Sequence, residues 1–192
     1  MKKTLVYLLP LLAFFLPLAL YIRTLAPTYI PIDSAEFAMC IKYWGICHPP
    51  GFPLYIAIGH IFASLFPFGS LIYKANLLSA LYGAATIFVI FLTLRVLKVG
   101  SYLSLLLAIL LSVSYVFWEF SISADVFTFS TLLISLTFLF TFSKKPYLAF
   151  FALGLSASHF YITAVLWPLF YWYFLGSKAN GLELGGETKG EI

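Results

Sequence analysis

Long stretches without a charged side chain are the feature that most constrains this sequence. They run over residues 5–22, 75–94, 99–118, 126–143 and 146–177. Since about 20 apolar residues cross the hydrocarbon core of a bilayer as one helix, each stretch is long enough to be a membrane span. The chain is also 62% hydrophobic and only 9% charged, which lies outside the usual composition of soluble domains. The sequence therefore predicts an all-α membrane protein, a polytopic helical bundle of about five spans.

The ionisable residues between these stretches are distributed unevenly over the two sides of the predicted membrane. If Lys2 and Lys3 are cytoplasmic, alternation of the spans places four more basic residues on the same side: Arg95, Lys98, Lys144 and Lys145. All seven acidic residues then lie on the opposite side. Because Lys and Arg are enriched in cytoplasmic loops, this predicts a multi-pass protein of the cell membrane with a cytoplasmic N-terminus. The net charge of +4 is then explained by the basic residues that orient the spans in the membrane, and we expect no binding to nucleic acid.

The longest connection between the predicted spans covers residues 23–73 and is called the outer loop. Its second half is apolar, but Pro53 and Pro67 leave too few residues between them for a span, so we expect short helices at the outer interface. Long ordered loops are often functional. The predicted organisation is one membrane-embedded module over residues 1–175 and a disordered tail over residues 176–192, which is rich in Gly, Lys and Glu.

Small and hydroxyl-bearing residues recur at helical spacing along three of the spans. Such stripes let membrane helices approach closely, so we expect them to face the interior of the bundle. The three stripes are Asn76, Ser79, Gly83 and Thr86; Ser101, Ser104, Ala108 and Ser112; and Ala152, Ser156, His159 and Thr163.

Two acidic residues of the outer loop, Asp33 and Glu36, lie three positions apart. On a helix the two carboxylates would share a face, where they could supply a general base or help to hold a divalent cation. The same spacing also fits a helix start in which Asp33 is the N-cap and Glu36 completes a capping box. Spacing alone leaves both interpretations open.

The segment His48-Pro49-Pro50-Gly51-Phe52-Pro53 predicts a rigid turn, because prolines restrict the backbone and the glycine relieves it. A histidine held there could bind a phosphate or a metal, or it could be a solvated loop residue. Two cysteines, Cys40 and Cys47, lie just before it on the side where oxidation is permitted. A disulfide, free thiols and metal ligation are all open, since the two cysteines and His48 do not match a standard zinc spacing.

Other polar residues are predicted on the same outer face. Lys74 is placed at the start of the second span, and Glu119 and Asp125 flank a short turn from Trp118 to Asp125. His159 falls in the last span, where an ionisable group usually faces the bundle or a wet cavity. A histidine that is simply hydrogen-bonded to a neighbouring helix is the alternative.

Five short blocks of this sequence, in their order and spacing, resemble the DUF2723 family of membrane proteins. That family includes protein O-mannosyltransferases and is similar to the wider GT-C glycosyltransferases. The likeness extends over residues 33–167, and Ala35, Asp125 and Ser158 stand where glycine, glutamate and asparagine are commoner. The blocks that carry it are Asp33-Ser34-Ala35-Glu36-Phe37, His48-Pro49-Pro50-Gly51-Phe52-Pro53-Leu54, Asn76-Leu77-Leu78-Ser79-Ala80, Ala124-Asp125-Val126-Phe127 and the helix bearing His159.

The resemblance implies a partial GT-C-like fold and a membrane glycosyltransferase. Such an enzyme transfers a sugar, here expected to be mannose, from a polyprenyl-phosphate donor to a hydroxyl of a protein or glycan on the non-cytoplasmic side. By this resemblance Asp33 is the catalytic base, and Glu36 is a second catalytic residue that orients the acceptor or a metal. The residues implied to bind substrate are His48, Lys74, Asn76, Asp125 and His159.

Other functions stay open at this point. A non-catalytic membrane subunit, or a truncated remnant of such an enzyme, could bind a lipid-linked sugar or a further membrane subunit. A transporter is disfavoured, because the spans lack the intramembrane charges and paired broken helices that transport usually needs. The sequence assigns no metal ligands, and a divalent cation is an open cofactor that it does not require.

Overall fold

The computed structural model describes residues 2–30 and 33–179, and this part of the chain contains helices and connecting segments but no β-strand. The all-α prediction is therefore confirmed for the described residues. The tail predicted over residues 176–192 overlaps the last helix as far as Ala179, and its remainder lies outside the described residues. In chain order the helices are α1 (Lys2–Arg23), α2 (Ser34–Tyr43), α3 (Pro53–Leu65), α4 (Leu71–Val96), α5 (Ser101–Ser112), α6 (Tyr115–Ile122), α7 (Phe127–Phe142), α8 (Pro146–His159), a 3₁₀ helix (Tyr161–Leu166) and α9 (Trp167–Ala179).

The third predicted span is broken. The axes of α5 and α6 meet at 68°, so the segment predicted as a span over residues 99–118 is not one straight helix. The turn predicted from Trp118 to Asp125 is wrong, because α6 continues to Ile122. Two serines lie at the break, and the hydroxyls of Ser112 and Ser114 donate to carbonyls three residues earlier, at 2.7 and 2.8 Å. Such bonds compete with the helical ladder. The Tyr21 hydroxyl of α1 also donates to the Ser112 carbonyl, at 2.9 Å, and so holds the end of α5.

The last predicted span is broken as well. α8 ends at His159, a 3₁₀ helix follows, and α9 begins at Trp167. Pro168 lies next to the first residue of α9, where the missing N–H of proline is tolerated. The segment predicted as a span over residues 146–177 is therefore not one continuous helix, and whether it crosses the membrane stays a prediction.

One described helix, α4, is by itself long and apolar enough to cross a membrane. The bent pair of α5 and α6 is a second candidate if the two helices count as one span. Helices α3 and α7 and residues 8–23 of α1 are apolar but shorter. The topology of five spans therefore stays a prediction.

Contacts between helix ends bring the ends of four helices together at one end of the bundle. Asn76, near the start of α4, bonds to Ala26 after α1 and to Ala124 before α7. His159, at the end of α8, places its Nε2 3.4 Å from the carbonyl of Val126, just before α7. The end of α1, the starts of α4 and α7 and the end of α8 thus meet. We call this the acidic end, because the acids of the outer loop lie there.

The outer loop contains two short helices, α2 and α3, as the sequence predicts; their placement at a membrane interface stays a prediction. They pack tightly, since a Cβ added at Gly59 of α3 would lie 2.7 Å from Cγ1 of Ile41 in α2. His60 reinforces the contact through its Nδ1, which lies 2.8 Å from the Ile41 carbonyl oxygen. The core beneath them includes Phe37, Tyr55, Ile56, Ile72, Leu78 and Phe129.

The three stripes of small and hydroxyl residues face the interior, as predicted. Ser101, at the first turn of α5, is half-buried, and the other members are buried. At Gly83 of α4 the absence of a side chain matters most. A Cβ there would lie 2.9 Å from the Cβ of Ser121 in α6 and 3.2 Å from Cε2 of Tyr21 in α1, and it would clash with the Ser121 hydroxyl. The stripe therefore lets α1, α4 and α6 meet at one point.

Candidate functional site

A cavity of about 250 Å³ opens at the acidic end, and we call it the acidic pocket. It is lined by Ile30, Asp33, Ser34, Glu119, Phe120, Ser123, Ala124, Asp125 and Phe127. Three of these residues carry carboxylates, and none of the described lining residues is Lys or Arg. Carboxylates accept hydrogen bonds from hydroxyl groups and attract cations. The pocket is therefore suited to a neutral polyol, a hydroxyl group or a cation, and it disfavours an unaccompanied anion.

Asp33 is the residue just before α2, and it lines the pocket. It occupies the N-cap position, but its side chain makes no capping hydrogen bond. The hydroxyl of Ser34 instead donates to the Ile30 carbonyl at 2.6 Å and fixes the approach to the helix. Glu36 turns away toward His48. The capping-box interpretation is therefore wrong, and the Asp33 carboxylate accepts no capping hydrogen bond from the N–H groups of α2.

Asp125 lines the pocket from the segment between α6 and α7. One of its carboxylate oxygens accepts a hydrogen bond from the Phe127 backbone N–H at 2.9 Å. Burial raises the pKa of Asp125 to about 6, and the nearby charge of Asp33 acts in the same direction, while the Phe127 N–H and the charge of His48 oppose the rise. Asp125 can therefore take up or release a proton close to neutral pH, as an acid or base in catalysis must.

Glu119 is the third carboxylate of the pocket, and the sequence identified it only as an outer charge. It lies half-buried on α6, within 3.4 Å of the Tyr115 hydroxyl, which donates to Oε1. The available signal was its place on the same side as Asp33, six residues before Asp125. Because the sequence predicts a turn at this point, it does not predict the helix α6 that carries Glu119.

Glu36 and His48 form a second cluster beside the pocket. The Glu36 Oε2 lies 2.9 Å from the His48 Nδ1, and Oε1 accepts the His48 backbone N–H at 2.6 Å. The bond from the His48 ring lowers the pKa of Glu36, and the bond to Glu36 raises the pKa of His48. Both side chains are solvent-accessible, at 40% for His48 and 41% for Glu36. The imidazolium form therefore persists to higher pH than that of a free histidine.

Two local features hold His48 in this position. A disulfide joins Cys40 to Cys47, with Cα atoms 6.0 Å apart, so the disulfide is the one of the three alternatives that the structure contains. After His48, the chain turns through Gly51, whose φ of +89° suits glycine. The Gly51 N–H donates to the His48 carbonyl at 2.8 Å. The turn predicted from the proline-rich segment is confirmed, and its rigidity stays a prediction.

Replacing Glu36 with glutamine is expected to lower the pKa of His48 toward its ordinary value, because the carboxylate that stabilises the imidazolium is lost. Ring resonances in NMR spectra, recorded against pH, would measure this for the three histidines of the chain. The matched control is Glu119→Gln, since that carboxylate lies on α6 and makes no contact with His48. An unchanged His48 midpoint in Glu36→Gln would show that the ion pair does not form.

The same region could hold a metal ion. One ligand atom each from Asp33, Glu36 and His48 lies within 4.8 Å of the other two, a set of two carboxylates and an imidazole that suits a divalent transition metal. Cys40 and Cys47 lie equally close to Glu36, but their sulfurs are joined in the disulfide.

The structure separates three predicted site residues from the pocket. Lys74 lies in the first turn of α4, which begins at Leu71 rather than at Lys74 as predicted, and its Nζ donates to the Ala63 carbonyl at 2.8 Å. Asn76 is fully buried, and backbone groups occupy both ends of its amide. His159 is also fully buried. Asp33, Glu36, His48 and Asp125, in contrast, are brought together.

His159 is surrounded by aromatic rings. Its ring centroid lies 5.5 Å from that of Phe52, 6.3 Å from that of Tyr55 and 4.8 Å from that of Phe129. Its Nε2 faces the Val126 carbonyl, and its Nδ1 has no partner among the described residues. This arrangement resembles the alternative in which the histidine bonds to a neighbouring helix.

An apolar groove of about 370 Å³ adjoins the acidic pocket. It is lined by Leu111, Ser114, Val116, Phe117, Phe120, Phe127, Thr128 and Thr131. It lies where α5 breaks into α6, so the bend that the sequence did not predict creates it. Phe120 and Phe127 line both cavities, and their ring centroids are 4.9 Å apart. A polar site and an apolar groove therefore meet at one pair of rings.

A sequence model described as the N-terminal domain of protein O-mannosyl-transferase TMEM260 matches residues 33–182. The chain belongs to this family. The match to the TMEM260 N-terminal domain begins at Asp33 and includes every described residue of the acidic pocket except Ile30. The family confirms the O-mannosyltransferase-like part of the resemblance; the wider DUF2723 and GT-C assignments stay predictions.

Two relatives carry the name protein O-mannosyl-transferase TMEM260. The mouse (Mus musculus) protein is 36% identical over 104 residues, which is 54% of this chain and 15% of the relative. The Dictyostelium discoideum protein is 24% identical over 187 residues, which is 85% of this chain and 23% of the relative. The chain thus spans less than a quarter of either relative. No solved structure matches it.

Proposed function

We propose that this chain forms the acid-bearing part of a membrane glycosyltransferase. The enzyme transfers mannose from a polyprenyl-phosphate donor to a hydroxyl of a protein or glycan on the non-cytoplasmic side. The observation that carries the proposal is the acidic pocket, with Asp33 in its wall, which shares Phe120 and Phe127 with an apolar groove. A lipid-linked sugar needs both environments side by side. The names of the relatives support mannose as the sugar.

In the proposed reaction Asp33 is the general base that accepts the proton of the acceptor hydroxyl. Its carboxylate takes the proton of the acceptor hydroxyl while the hydroxyl oxygen bonds to the anomeric carbon of the sugar. The bond from that carbon to the phosphate oxygen breaks, and its electron pair leaves with the lipid phosphate. The anomeric carbon is positively charged in the transition state, so the other pocket carboxylates, Glu119 and Asp125, stabilise it. Glu36 orients the acceptor through its fixed geometry with His48.

The charges of the site favour the neutral groups of the two substrates over the phosphate of the donor. Three carboxylates and the lack of Lys or Arg among the described lining residues suit the neutral hydroxyl and sugar but repel a phosphate. The phosphate therefore needs a cation at the rim. His48 supplies one, because its bond to Glu36 keeps it protonated to higher pH. A divalent cation held by Asp33, Glu36 and His48 would supply more charge, whereas Lys74 is already bound to the Ala63 carbonyl.

Transfer itself tests the proposal. Purified chain in lipid nanodiscs is incubated with radiolabelled mannosyl polyprenyl phosphate and an acceptor protein, and the label on the protein is counted. We expect transfer that depends on both the donor lipid and Asp33. Donor binding without transfer would favour the alternative function, a non-catalytic subunit that binds a lipid-linked sugar. The absence of both binding and transfer would contradict the proposal.

The proposed topology predicts which residues can be labelled from outside the cell. Tyr29, in the outer loop, and Lys98, between α4 and α5, are both exposed. In intact cells a membrane-impermeant maleimide should label Tyr29→Cys and should label Lys98→Cys only after permeabilisation. The native cysteines do not interfere, since they are joined to each other. The reverse labelling pattern would place Asp33 in the cytosol and exclude the proposed reaction.

A further inference from the structure

Two polar residues of α4, Asn76 and Ser79, join segments that lie far apart in the sequence. The Asn76 Nδ2 donates to the Ala26 carbonyl at 3.0 Å, and its Oδ1 accepts the Ala124 N–H at 2.7 Å. One turn later, the Ser79 Oγ accepts the Asp125 N–H at 3.2 Å. Ala26 belongs to the segment that leads to Asp33, and Ala124 precedes Asp125. One helix face therefore holds the segments that form both walls of the acidic pocket.

These bonds differ from those of an ordinary buried hydroxyl. Thr86, two turns further along the same face of α4, is also fully buried, but its hydroxyl donates to the Tyr82 carbonyl of its own helix at 2.9 Å. Asn76 is equally buried and bonds only to other segments. Removing its side chain would leave a buried carbonyl and a buried N–H without partners. The segments would then have to separate or admit water.

We propose that Asn76 and Ser79 are positioning residues that set the distance between the Asp33 and Asp125 carboxylates and hold Asp125 half-buried in the wall of the acidic pocket. They act through the backbone and not by contact with substrate, a role different from the substrate binding that the resemblance implies for Asn76. The catalytic consequence rests on the proposed function, because the two carboxylates matter for transfer only if the pocket is the active site. The positioning itself does not depend on any activity.

The titration of Asp125 reports this positioning directly. The chain contains only two aspartates, Asp33 and Asp125, so labelling with aspartate enriched in ¹³C at the side-chain carboxyl gives two resonances. The variants Asp33→Asn and Asp125→Asn assign them. The groups that face Asp125 are Asp33 before α2, His48 in the outer loop, Glu119 on α6 and the buried phenol of Tyr55 on α3.

In Asn76→Ala we expect the Asp125 midpoint to move from about 6 toward the ordinary value of 3.8. Water that enters the loosened segment stabilises the charged form, and greater distance from Asp33 acts in the same direction. Ser79→Ala removes the two bonds between its hydroxyl and the backbone of Asp125, from the N–H at 3.2 Å and to the carbonyl at 3.4 Å, and should produce a shift of the same sign. Thr86→Ala is the matched control and should leave the midpoint in place. If the wild-type enzyme transfers mannose, Asn76→Ala should reduce turnover roughly 10²-fold with KM little changed, as expected for misplaced groups.

Two results would overturn the proposal. One is a wild-type Asp125 midpoint at its ordinary value; the other is an unchanged midpoint in a folded Asn76→Ala. If Asn76→Ala does not fold, Ser79→Ala decides by the same measurement, and an unchanged midpoint there also overturns the proposal. The titration needs no donor and no turnover. A protein that shows the shift but transfers nothing would therefore contradict the proposed function and leave the positioning role intact.

Discussion

Replacing Asp33 with asparagine is expected to reduce mannose transfer by about 10²- to 10⁴-fold, the usual contribution of a positioned general base. Asparagine has nearly the same shape, so the pocket and α2 should be preserved. It cannot accept the proton of the acceptor hydroxyl, however. The structure makes the expectation specific, because the Asp33 carboxylate lines the acidic pocket and makes no capping bond to the helix behind it. A loss of activity in this variant would therefore not come from a lost helix cap.

Initial rates of label transfer in nanodiscs measure this effect, and donor binding measured in the same preparation is the control. We expect Asp33→Asn to bind the donor as the wild type does and to fail in turnover. Asp33→Glu, which keeps a carboxylate on a longer side chain, should retain a measurable part of the rate. If Asp33→Asn turns over at the wild-type rate, Asp33 is not the base, and Asp125 becomes the candidate.

Replacing Gly83 with valine is expected to destabilise the bundle by about 1–3 kcal/mol, as overpacking usually does. The new Cβ would lie 2.9 Å from the Cβ of Ser121, so α6 would have to move away from α4. Tyr21 lies against the same point and could no longer reach the Ser112 carbonyl without rearrangement. Since α6 carries Glu119 and Phe120, the acidic pocket would open as well.

Thermal unfolding in detergent measures the change in stability. The matched control is Gly154→Val on α8, because a Cβ at Gly154 would have no neighbouring heavy atom within 4 Å. We expect this variant to unfold close to the wild-type temperature and Gly83→Val to unfold well below it. Equal unfolding temperatures for the two variants would show that α4 and α6 do not pack as described.

The faces of the helices were predictable from the sequence, but the breaks in them were not. The stripe through Asn76, Ser79, Gly83 and Thr86 repeats with the period of an α-helix, so its burial follows from local spacing. The break after Ser112 depends partly on a bond from Tyr21, 91 residues earlier in the chain. Hydropathy averages over such a site and contains no information about a bond between residues so far apart in the chain.

The candidate site was predictable to a similar extent. The family blocks identified Asp33, Glu36, His48 and Asp125, and the structure brings these residues together. The capping box failed because the partner of Glu36 lies 12 residues away, beyond the disulfide. Spacing near Glu36 contains no information about that partner. Asn76 was identified, but its contacts are with segments about 50 residues away in either direction, so its positioning role could not be derived from local sequence.

The Cys40–Cys47 bridge can form only where thiols are oxidised, which limits when this part of the chain is completed. The bridge joins α2, which bears Glu36, to the residue just before His48. Thiols stay reduced in the cytosol and are oxidised beyond it. In the proposed topology, a newly made chain therefore completes this corner only after the outer loop has been translocated. A chain inserted in the opposite orientation would keep both thiols reduced and would lack this covalent link between α2 and His48.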